Sequence, residues 1–205
     1  MNDYKINKIT KVQCKEILIK YHYLTKETKT FRSGINYGLF LNGMLIGCAI
    51  YHCPSVPETV KGCFGLNRNE QSGFYELGRL ALDPNHYKRN LTSWFLSKTI
   101  KLLRKEINVR AILSYADSEL HTGYIYQATN FKYYGLTALK SDFWILQDDG
   151  TYIKYQRGKI KGLQGENRPR SRKHRYLLIF DKKLKCLWEE KPYPKGNNKN
   201  EYNYA

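Results

Sequence analysis

Apolar and polar positions repeat along this chain with a period that changes from segment to segment. Residues 8–20 place apolar side chains at near-helical spacing, which predicts an amphipathic helix capped by Thr10. Two apolar runs then flank Asn42-Gly43, a dipeptide that favours the tight turn of a β-hairpin. Further strands are predicted at residues 74–82, 109–113, 137–147, 151–157 and 175–180, and a second helix at residues 91–107. This order predicts a mixed α+β (α/β) fold with a central sheet flanked by helices.

Polar side chains crowd together directly after the apolar run at residues 109–113. Ser114, Asp117 and His121 stand where a buried strand reaches its carboxyl end, the edge at which open sheets bind ligands. From His121 the period becomes helical, and Gly135 predicts a helix stop or a turn. We favour a ligand site; the alternative is a core strand followed by a packed aromatic helix. The predicted helix carries on one face Tyr124, Ala128 and Phe131, and on another Tyr126 and Asn130.

The composition narrows the class of partner. Lys and Arg number 35 against 18 Asp and Glu, which gives a formal net charge of +17, and 18 tyrosines accompany that charge. A polyanion with flat faces for stacking, hence nucleic acid, fits this balance better than a membrane. No apolar run approaches the ~20 residues that span a bilayer, and the first residues do not resemble a signal peptide, so a cytosolic protein is expected. Five cysteines without a CxxC pair argue against a disulfide framework or a zinc knuckle.

Residues 154–175 form the most basic segment, with nine Lys/Arg, His174 and a single acid. Mutual repulsion predicts an extended loop that contacts phosphates, and a merely solubilising loop is the alternative. The chain is therefore divided into a catalytic domain at residues 1–150, a basic strand and loop extension packed on it at residues 151–195, and a disordered tail at residues 196–205. The candidate nucleic-acid contacts are Lys154, Arg157, Arg168, Arg170, Arg172, Lys173, His174 and Arg175.

The order of elements, a helix, a hairpin and then a strand–helix–strand–helix unit, is similar to that of the GNAT acyltransferases. Enzymes of this fold hold the pyrophosphate of coenzyme A on a glycine-rich turn and the helix N-terminus that follows it. Here the equivalent residues 85–94, NHYKRNLTSW, contain no glycine, which argues against coenzyme A. Lys88 and Arg89 would still pair with phosphates, and Thr92 or Ser93 would cap the helix. The candidate cofactor contacts are Lys88, Arg89, Thr92, Ser93 and Asn130.

Several longer motifs resemble one family. They are HYL at residues 22–24, YELGRLALDP at residues 75–84 and ADSELHTGYIYQATNF at residues 116–131, followed by RSRKHRY and PYPK. Together they resemble the phage Mom family over most of residues 18–195. The HTGYIYQATNF block is long and unusual, whereas HYL or LGRLALDP alone is a weak signal.

The resemblance implies a GNAT-like enzyme that converts adenine in double-stranded DNA to a carbamoylmethyl derivative at its exocyclic amine. Such a product shields phage DNA from host restriction, and the protein would act in the cytoplasm of the bacterial host. The resemblance also implies iron (Fe²⁺), with His22, Tyr23 and Asp117 as ligands, a donor set that suits a non-haem ferrous centre. Arg79, His121 and Tyr126 fall on further motif positions. The implied catalytic residues are Asp117, Tyr126, His121 and Arg79.

Each candidate catalytic residue has an expected chemical role. His121 or Tyr126 would handle protons, and Arg79 would anchor a carboxylate or phosphate of the donor, which is acetyl-CoA or another acyl- or glycine-derived molecule. A duplex adenine must be flipped out of the stack to react. The candidate residues of a pocket for that base are Tyr115, Tyr124, Tyr133 and Tyr134.

Simpler interpretations stay open for the same residues. His22 fits an aromatic cluster at a helix end, Asp117 a turn cap, and Arg79 a structural ion pair with an acid such as Glu76. Two other functions also stay open. One is a GNAT-fold transferase that uses acetyl-CoA on a protein, a tRNA or a small amine, and the other is a non-enzymatic basic DNA-binding protein. A homodimer is a further partner to be tested.

Overall fold

The computed structural model describes residues 3–22, 31–155 and 162–196. Within these residues there are ten strands and four α-helices. The strands are β1 Tyr4–Lys8, β2 Ile35–Leu41, β3 Met44–His52, β4 Phe74–Leu82, β5 Ala111–Asp117, β6 Lys132–Leu136, β7 Lys140–Leu146, β8 Tyr152–Lys154, β9 Gly165–Arg170 and β10 Lys173–Ile179. The helices are α1 Lys11–Tyr21, α2 Pro57–Phe64, α3 Leu91–Glu106 and α4 Tyr124–Gln127. No helix among them is long and apolar enough to cross a membrane.

Seven strands form a central sheet in the order β1-β2-β3-β4-β5-β10-β6. All neighbouring pairs in it are antiparallel except β4 and β5, which are parallel. A second sheet has the order β8-β7-β9. The predicted mixed α+β architecture is confirmed. The proposed division at residue 150 stays a prediction, although β10 lies inside the central sheet and β7, which precedes that residue, pairs with β8 and β9, which follow it.

The sheet opens between β4 and β5. Their pairing runs only from Phe74 and Ala111 to Leu77 and Ser114, while both strands continue further. At the same level β4 carries a bulge against β3, because the register shifts around Gly78. The unpaired ends of the two strands therefore border a gap in the middle of the sheet.

Apolar side chains pack on both faces of the sheet. The face under α3 and α4 buries a large cluster that includes Tyr51, Phe95 and Tyr176. On the opposite face, Leu18 of α1 and Cys48 of β3 belong to a second buried cluster. A third cluster lies around α2. Cys48 is fully buried, as expected of a small hydrophobic residue.

The local sequence signals placed most elements. Thr10 and Gln13 form a capping box at the start of α1, and the turn at Asn42 and Gly43 has positive φ angles of 49° and 82°. The predicted strand at residues 74–82 is confirmed, as is the helix predicted at residues 91–107. Other elements were not predicted, namely β1, α2, β6 and β9.

Three predictions about the second half of the chain were wrong. The short helix expected after His121 is present as α4, but the residues assigned to its faces were wrong, since Tyr124 is 63% exposed while Tyr126 and Phe131 are buried. Gly135 does not end a helix but lies in β6 with a φ of 76°, where the register against β10 shifts. The basic segment is not one extended loop, because it contains β9. Apart from Gly196, the predicted disordered tail lies outside the described residues.

Candidate active site

A group of polar side chains surrounds the gap between β4 and β5 on the α1 side of the sheet. Arg79 is two residues from Ala81, which packs in the cluster under α1, so both face that side. In β5, Ala116 belongs to the opposite cluster, and Asp117 beside it therefore points towards α1 and α2. His22 ends α1 and donates its backbone N–H to the carbonyl of Leu18 at 3.0 Å.

His22 is buried and lies within electrostatic range of two other residues of the group. Burial, together with the charges of Arg79 and His121, lowers the pKa of its imidazole to about 3. Burial also lowers the pKa of His121; the carboxylate of Asp117 opposes this shift, whereas His174 and Lys173 add to it. Both histidines are therefore neutral at pH 7, the form in which an imidazole accepts a proton.

Asp117 ends β5 in a hydrogen-bonded position. Its carboxylate forms an ion pair with Lys173 and accepts hydrogen bonds from Ser171 Oγ at 2.8 Å and from the Glu119 N–H at 3.1 Å. Burial alone would raise the pKa of Asp117, but the hydrogen bonds from Lys173, Ser171 and the Glu119 backbone outweigh it and lower the pKa. Asp117 is thus a carboxylate whose charge is largely compensated by Lys173.

Among the residues that the structure describes, no acid forms an ion pair with Arg79. Its Nη1 donates to the carbonyl of Gly78 at 2.7 Å, and within the described residues its buried Nε has no hydrogen-bond partner. Glu76, the acid proposed as its structural partner, instead accepts the Ser55 N–H at 2.9 Å. The structural ion pair with Glu76 is therefore wrong, and the guanidinium retains a donor at the gap.

The comparison with known families decides the family of this chain. The model for the Mom protein family matches residues 3–195. The chain belongs to the Mom protein family. No curated protein matches it.

Solved structures show the fold of this Mom-family protein. A GNAT family acetyltransferase from Elizabethkingia anophelis with acetyl-CoA bound is 14% identical, with a TM-score of 0.53 over 88% of this chain and 100% of that chain. A putative acetyltransferase from Salmonella typhimurium with its cofactor acetyl-CoA is 14% identical, with a TM-score of 0.52 over 88% and 96%. The ribosomal-protein-S18-alanine N-acetyltransferase from Escherichia coli is 14% identical, with a TM-score of 0.51 over 86% and 93%. At this identity the comparison establishes a GNAT-like fold.

The described residues of the Mom-family chain do not fit the predicted iron site. None of their His, Cys, Asp and Glu side chains forms a group of three placed to share one metal ion. The carboxylate of Asp117 is occupied by Lys173 and Ser171, which compete with a cation for its oxygens. Tyr23, the third predicted ligand, lies outside the described residues. No step is therefore assigned to iron.

The start of α3 fits a phosphate group, although the local prediction of its cap was wrong. The cap is Asn90, not Thr92 or Ser93, which lie in the first turn. Asn90 adopts the left-handed conformation with φ 64° and ψ 5°, so it provides the sharp turn for which a glycine was missing. Lys88 and Arg89 precede it and are exposed. Exposed cations and a helix N-terminus without a side-chain cap together form an anion-binding arrangement.

Replacing Asn90 tests this conformation. We expect Asn90→Ala to lower the free energy of unfolding by about 1–2 kcal/mol, because a β-carbon without a local hydrogen-bonding side chain is disfavoured in the left-handed region. Asn90→Gly is the matched control and should retain the wild-type stability or exceed it. Urea unfolding monitored by circular dichroism measures both. Wild-type stability of the alanine variant would contradict the assignment.

Other predicted site residues are spread over the fold. Tyr126 packs against Phe131 and Tyr176, with ring centroids 5.6 and 5.1 Å apart, and its hydroxyl donates to the carbonyl of Tyr115 at 3.4 Å. Its proposed role in proton transfer stays a prediction. Asn130 is exposed and takes a left-handed turn after α4 with a φ of 65°.

The four tyrosines predicted to enclose a flipped base do not share a pocket. Tyr133 packs in the cluster under α3, whereas Tyr134 packs in the cluster around α2. Tyr124 is exposed to solvent. Tyr115 is half-buried, and its pKa is raised to about 12 by desolvation and by the nearby charge of Glu76. A base-binding pocket must therefore be sought elsewhere.

Three of the candidate nucleic-acid contacts lie in the second sheet, β8-β7-β9. Arg168 stacks on Trp144 and Tyr152, with its guanidinium carbon 4.9 and 4.4 Å from the ring centroids. Lys154 and Arg170 both pair with Asp142, at 2.8 and 3.7 Å. These partners offset the mutual repulsion of the basic side chains, from which an extended loop was predicted.

The remaining described basic residues lie beside the central sheet. Arg172 donates to the Thr137 carbonyl at 2.7 Å, Arg175 donates to the Tyr134 carbonyl at 2.7 Å, and His174 is buried with its Nδ1 2.8 Å from the Tyr133 hydroxyl. Lys173 is the ion-pair partner of Asp117. DNA contact by these residues stays a prediction, and Arg157 lies outside the described residues.

The sequence analysis missed the roles of Lys173 and Ser171 at the site. They approach Asp117 across separations of 56 and 54 residues, and no spacing rule links positions so far apart. The RSRKHRY motif contains both, so the family resemblance is the one sequence signal that pointed to them.

The burial of His22 predicts a dependence of stability on pH. Its pKa is about 3 in the folded protein, against 6.5 for an unperturbed histidine. Above pH 6.5 both states are neutral, but between pH 6.5 and 3 the unfolded chain alone binds the proton. Stability is therefore lost as the pH falls, by about 1.4 kcal/mol per pH unit from this residue.

His22→Asn removes that contribution. We expect the difference in unfolding free energy between wild type and variant to shift in favour of the variant by about 2–3 kcal/mol from pH 7 to pH 4.5. Denaturant titrations at the two pH values measure it. A difference that does not change with pH would show that His22 is protonated in the folded protein.

Proposed function

We propose that this Mom-family protein is a DNA-modifying transferase that converts adenine to a carbamoylmethyl derivative at its exocyclic amine. The observation that carries the proposal is the family match over residues 3–195. In this view the product shields phage DNA from host restriction, and the reaction takes place in the cytoplasm of the bacterial host.

The residues at the gap support the chemistry that this reaction needs. The exocyclic amine of adenine is a poor nucleophile, since its lone pair is conjugated with the ring, and a base must remove its proton as the new bond to carbon forms. His121 is the group that we assign to this step, because it is half-buried and its lowered pKa keeps it neutral at pH 7. The charge of Asp117 raises the pKa of that imidazole and so stabilises the imidazolium that results, and the guanidinium of Arg79 binds an anionic or carbonyl oxygen of the donor molecule.

An acyl-coenzyme A is the donor class that the fold supports best. Two of the similar structures hold acetyl-CoA, and the start of α3 here offers Lys88, Arg89 and uncapped amides to a pyrophosphate. When bound, the thioester of such a donor would supply an activated acyl carbon, and its transfer would release the free thiol of coenzyme A and leave an amide on the amine. A carbamoylmethyl product needs in addition an alkyl C–N linkage and a second nitrogen, so acyl transfer alone accounts only for N-acylation. The same observation favours a second candidate function, N-acylation of an amine on a protein, a tRNA or a small molecule.

Double-stranded DNA is the proposed partner. The net charge of +17 favours a polyanion, and binding should weaken steeply with salt because phosphate contacts release counterions. The target adenine would leave the stack to reach the gap, since its amine is paired inside a duplex.

Mass spectrometry of nucleosides tests the proposal. DNA from a host that expresses the protein should contain an adenosine derivative heavier by one carbamoylmethyl group, and DNA from a host with the empty vector should not. Calorimetric titration with coenzyme A tests the donor class separately. Unmodified DNA together with tight coenzyme A binding would favour the second candidate function, and unmodified DNA without coenzyme A binding would favour a DNA-coating protein.

A further inference from the structure

A cavity lies at the end of the sheet where β3 ends and β2 begins. Its volume is about 660 Å³ and it is open to solvent. Two aromatic residues, Phe31 and Tyr75, belong to its lining, and Tyr51 borders it although the Tyr51 side chain is fully buried in the cluster under α3. This volume is within the range of pockets that bind small organic molecules. An aromatic wall in an open cavity offers a stacking surface to a flat ring.

The charges around the cavity have one sign. Lys11 and Arg32 are exposed and belong to the lining, and the described residues of that lining include no acid. The ammonium group of Lys11 lies 5.3 Å from the centroid of the Phe31 ring. Cations beside an aromatic wall are complementary to a nucleotide, whose phosphate is anionic and whose base is flat.

His52 connects the cavity with the gap between β4 and β5. It lines the cavity, and its ring also lies against Gly78 at the bulge of β4. A β-carbon on Gly78 would come within 2.2 Å of His52 Nε2. Arg79, the next residue, carries the free donor at the gap. The cavity and the candidate active site are therefore separated by one imidazole ring.

We infer that this cavity binds a flipped-out nucleotide of the DNA, with its base against Tyr75 and Phe31 and its phosphate on Lys11 and Arg32. The inference rests on the proposed function and names the place of the target base. It replaces the pocket that the sequence predicted from four other tyrosines. A base seated there reaches the gap from the side opposite α3, where the donor phosphates are proposed to bind.

Cys53 provides a direct probe of occupancy. It is exposed and lines the cavity, whereas Cys14, Cys48 and Cys63 are buried and Cys186 is half-buried elsewhere. The wild-type protein would be treated with iodoacetamide, with and without a short adenine-containing duplex, and alkylation followed at each cysteine by mass spectrometry. At a duplex concentration ten times the dissociation constant, we expect alkylation of Cys53 to slow by roughly tenfold and that of Cys186 to stay constant.

Two further ligands distinguish a seated base from phosphate contact alone. A duplex with a mismatch opposite the adenine should protect Cys53 more strongly at equal concentration, because less energy is needed to flip that base. Heparin is a polyanion without bases and should protect Cys53 weakly. Equal protection by heparin and DNA, or no protection by DNA that binds in a mobility-shift assay, would overturn the inference.

Charge reversal tests the phosphate contacts. Lys11→Glu should reduce the salt dependence of DNA binding by about one counterion, and Arg32→Glu by the same amount. Lys11→Glu is expected to fold well, since an acid in the first turn of α1 favours the helix dipole. The matched control is Lys101→Glu on the exposed side of α3, which should leave the salt dependence nearly unchanged. Salt dependence that responds to Lys101 and not to Lys11 or Arg32 would refute the assigned phosphate contacts.

These assays read binding alone, so their outcome is independent of whether adenine is modified. If DNA protects Cys53 but host DNA is not modified, the proposed nucleotide site stands and the proposed reaction is wrong. If host DNA is modified but DNA does not protect Cys53, the proposed reaction stands and this nucleotide site is wrong.

Discussion

Replacing His121 with asparagine is expected to slow adenine modification by roughly 10²–10⁴-fold, the range that a positioned general base contributes. The imidazole is half-buried and its pKa is lowered, so it is neutral at pH 7 and can take the amine proton. Asparagine keeps a similar size and polarity but cannot accept that proton. The rate would be measured as the content of modified adenosine in host DNA over time after induction.

The matched control for His121→Asn is Glu119→Gln. Glu119 is an exposed acid two residues away, and it contacts Asp117 through its backbone N–H, which the substitution leaves intact. We expect Glu119→Gln to modify DNA at the wild-type rate. If His121→Asn also modified DNA at that rate, His121 could not be the base, and the proton would have to pass to another group.

Helices and strands whose ends carry a local signal, such as a capping residue or a turn dipeptide, were predicted correctly from the sequence. The cap of α1 at Thr10 and the turn at Asn42-Gly43 are set by hydrogen bonds and dihedral preferences within a few positions. The residues on each face of α4 were predicted wrongly, because tertiary packing decides which of them are buried. Tyr126 and Phe131 are both buried among aromatic rings, which one continuous helix with Tyr124 inward does not allow.

The candidate site was only partly accessible from the sequence. Polar residues at the end of β5 pointed to Asp117 and His121 directly, whereas His22 and Arg79 entered through the family resemblance. The pairing of Asp117 with Lys173 was not predicted, because β10 comes beside β5 through folding of distant segments. The absence of glycine from residues 85–94 was also misleading, because Asn90 adopts the left-handed conformation in place of a glycine.

Asp117→Ala is expected to have the largest combined effect on activity and stability. Loss of the carboxylate beside a catalytic histidine should lower the modification rate by about 10²–10⁴-fold, because the imidazolium of His121 loses its counter-charge. The free energy of unfolding should fall by about 1–3 kcal/mol, since Lys173 and Ser171 lose their shared acceptor. Nucleoside mass spectrometry and urea unfolding measure the two effects.

Lys173→Ala and the double variant separate the two roles of Asp117. Lys173→Ala leaves a buried carboxylate without its cation, so it too should be destabilising. The double variant removes both charges and should lose less stability than the sum of the single variants, by about 0.5–3 kcal/mol, while its activity stays as low as that of Asp117→Ala. Activity that returns in the double variant would mean that Asp117 serves only to neutralise Lys173, and its assignment beside His121 in the reaction would then be wrong.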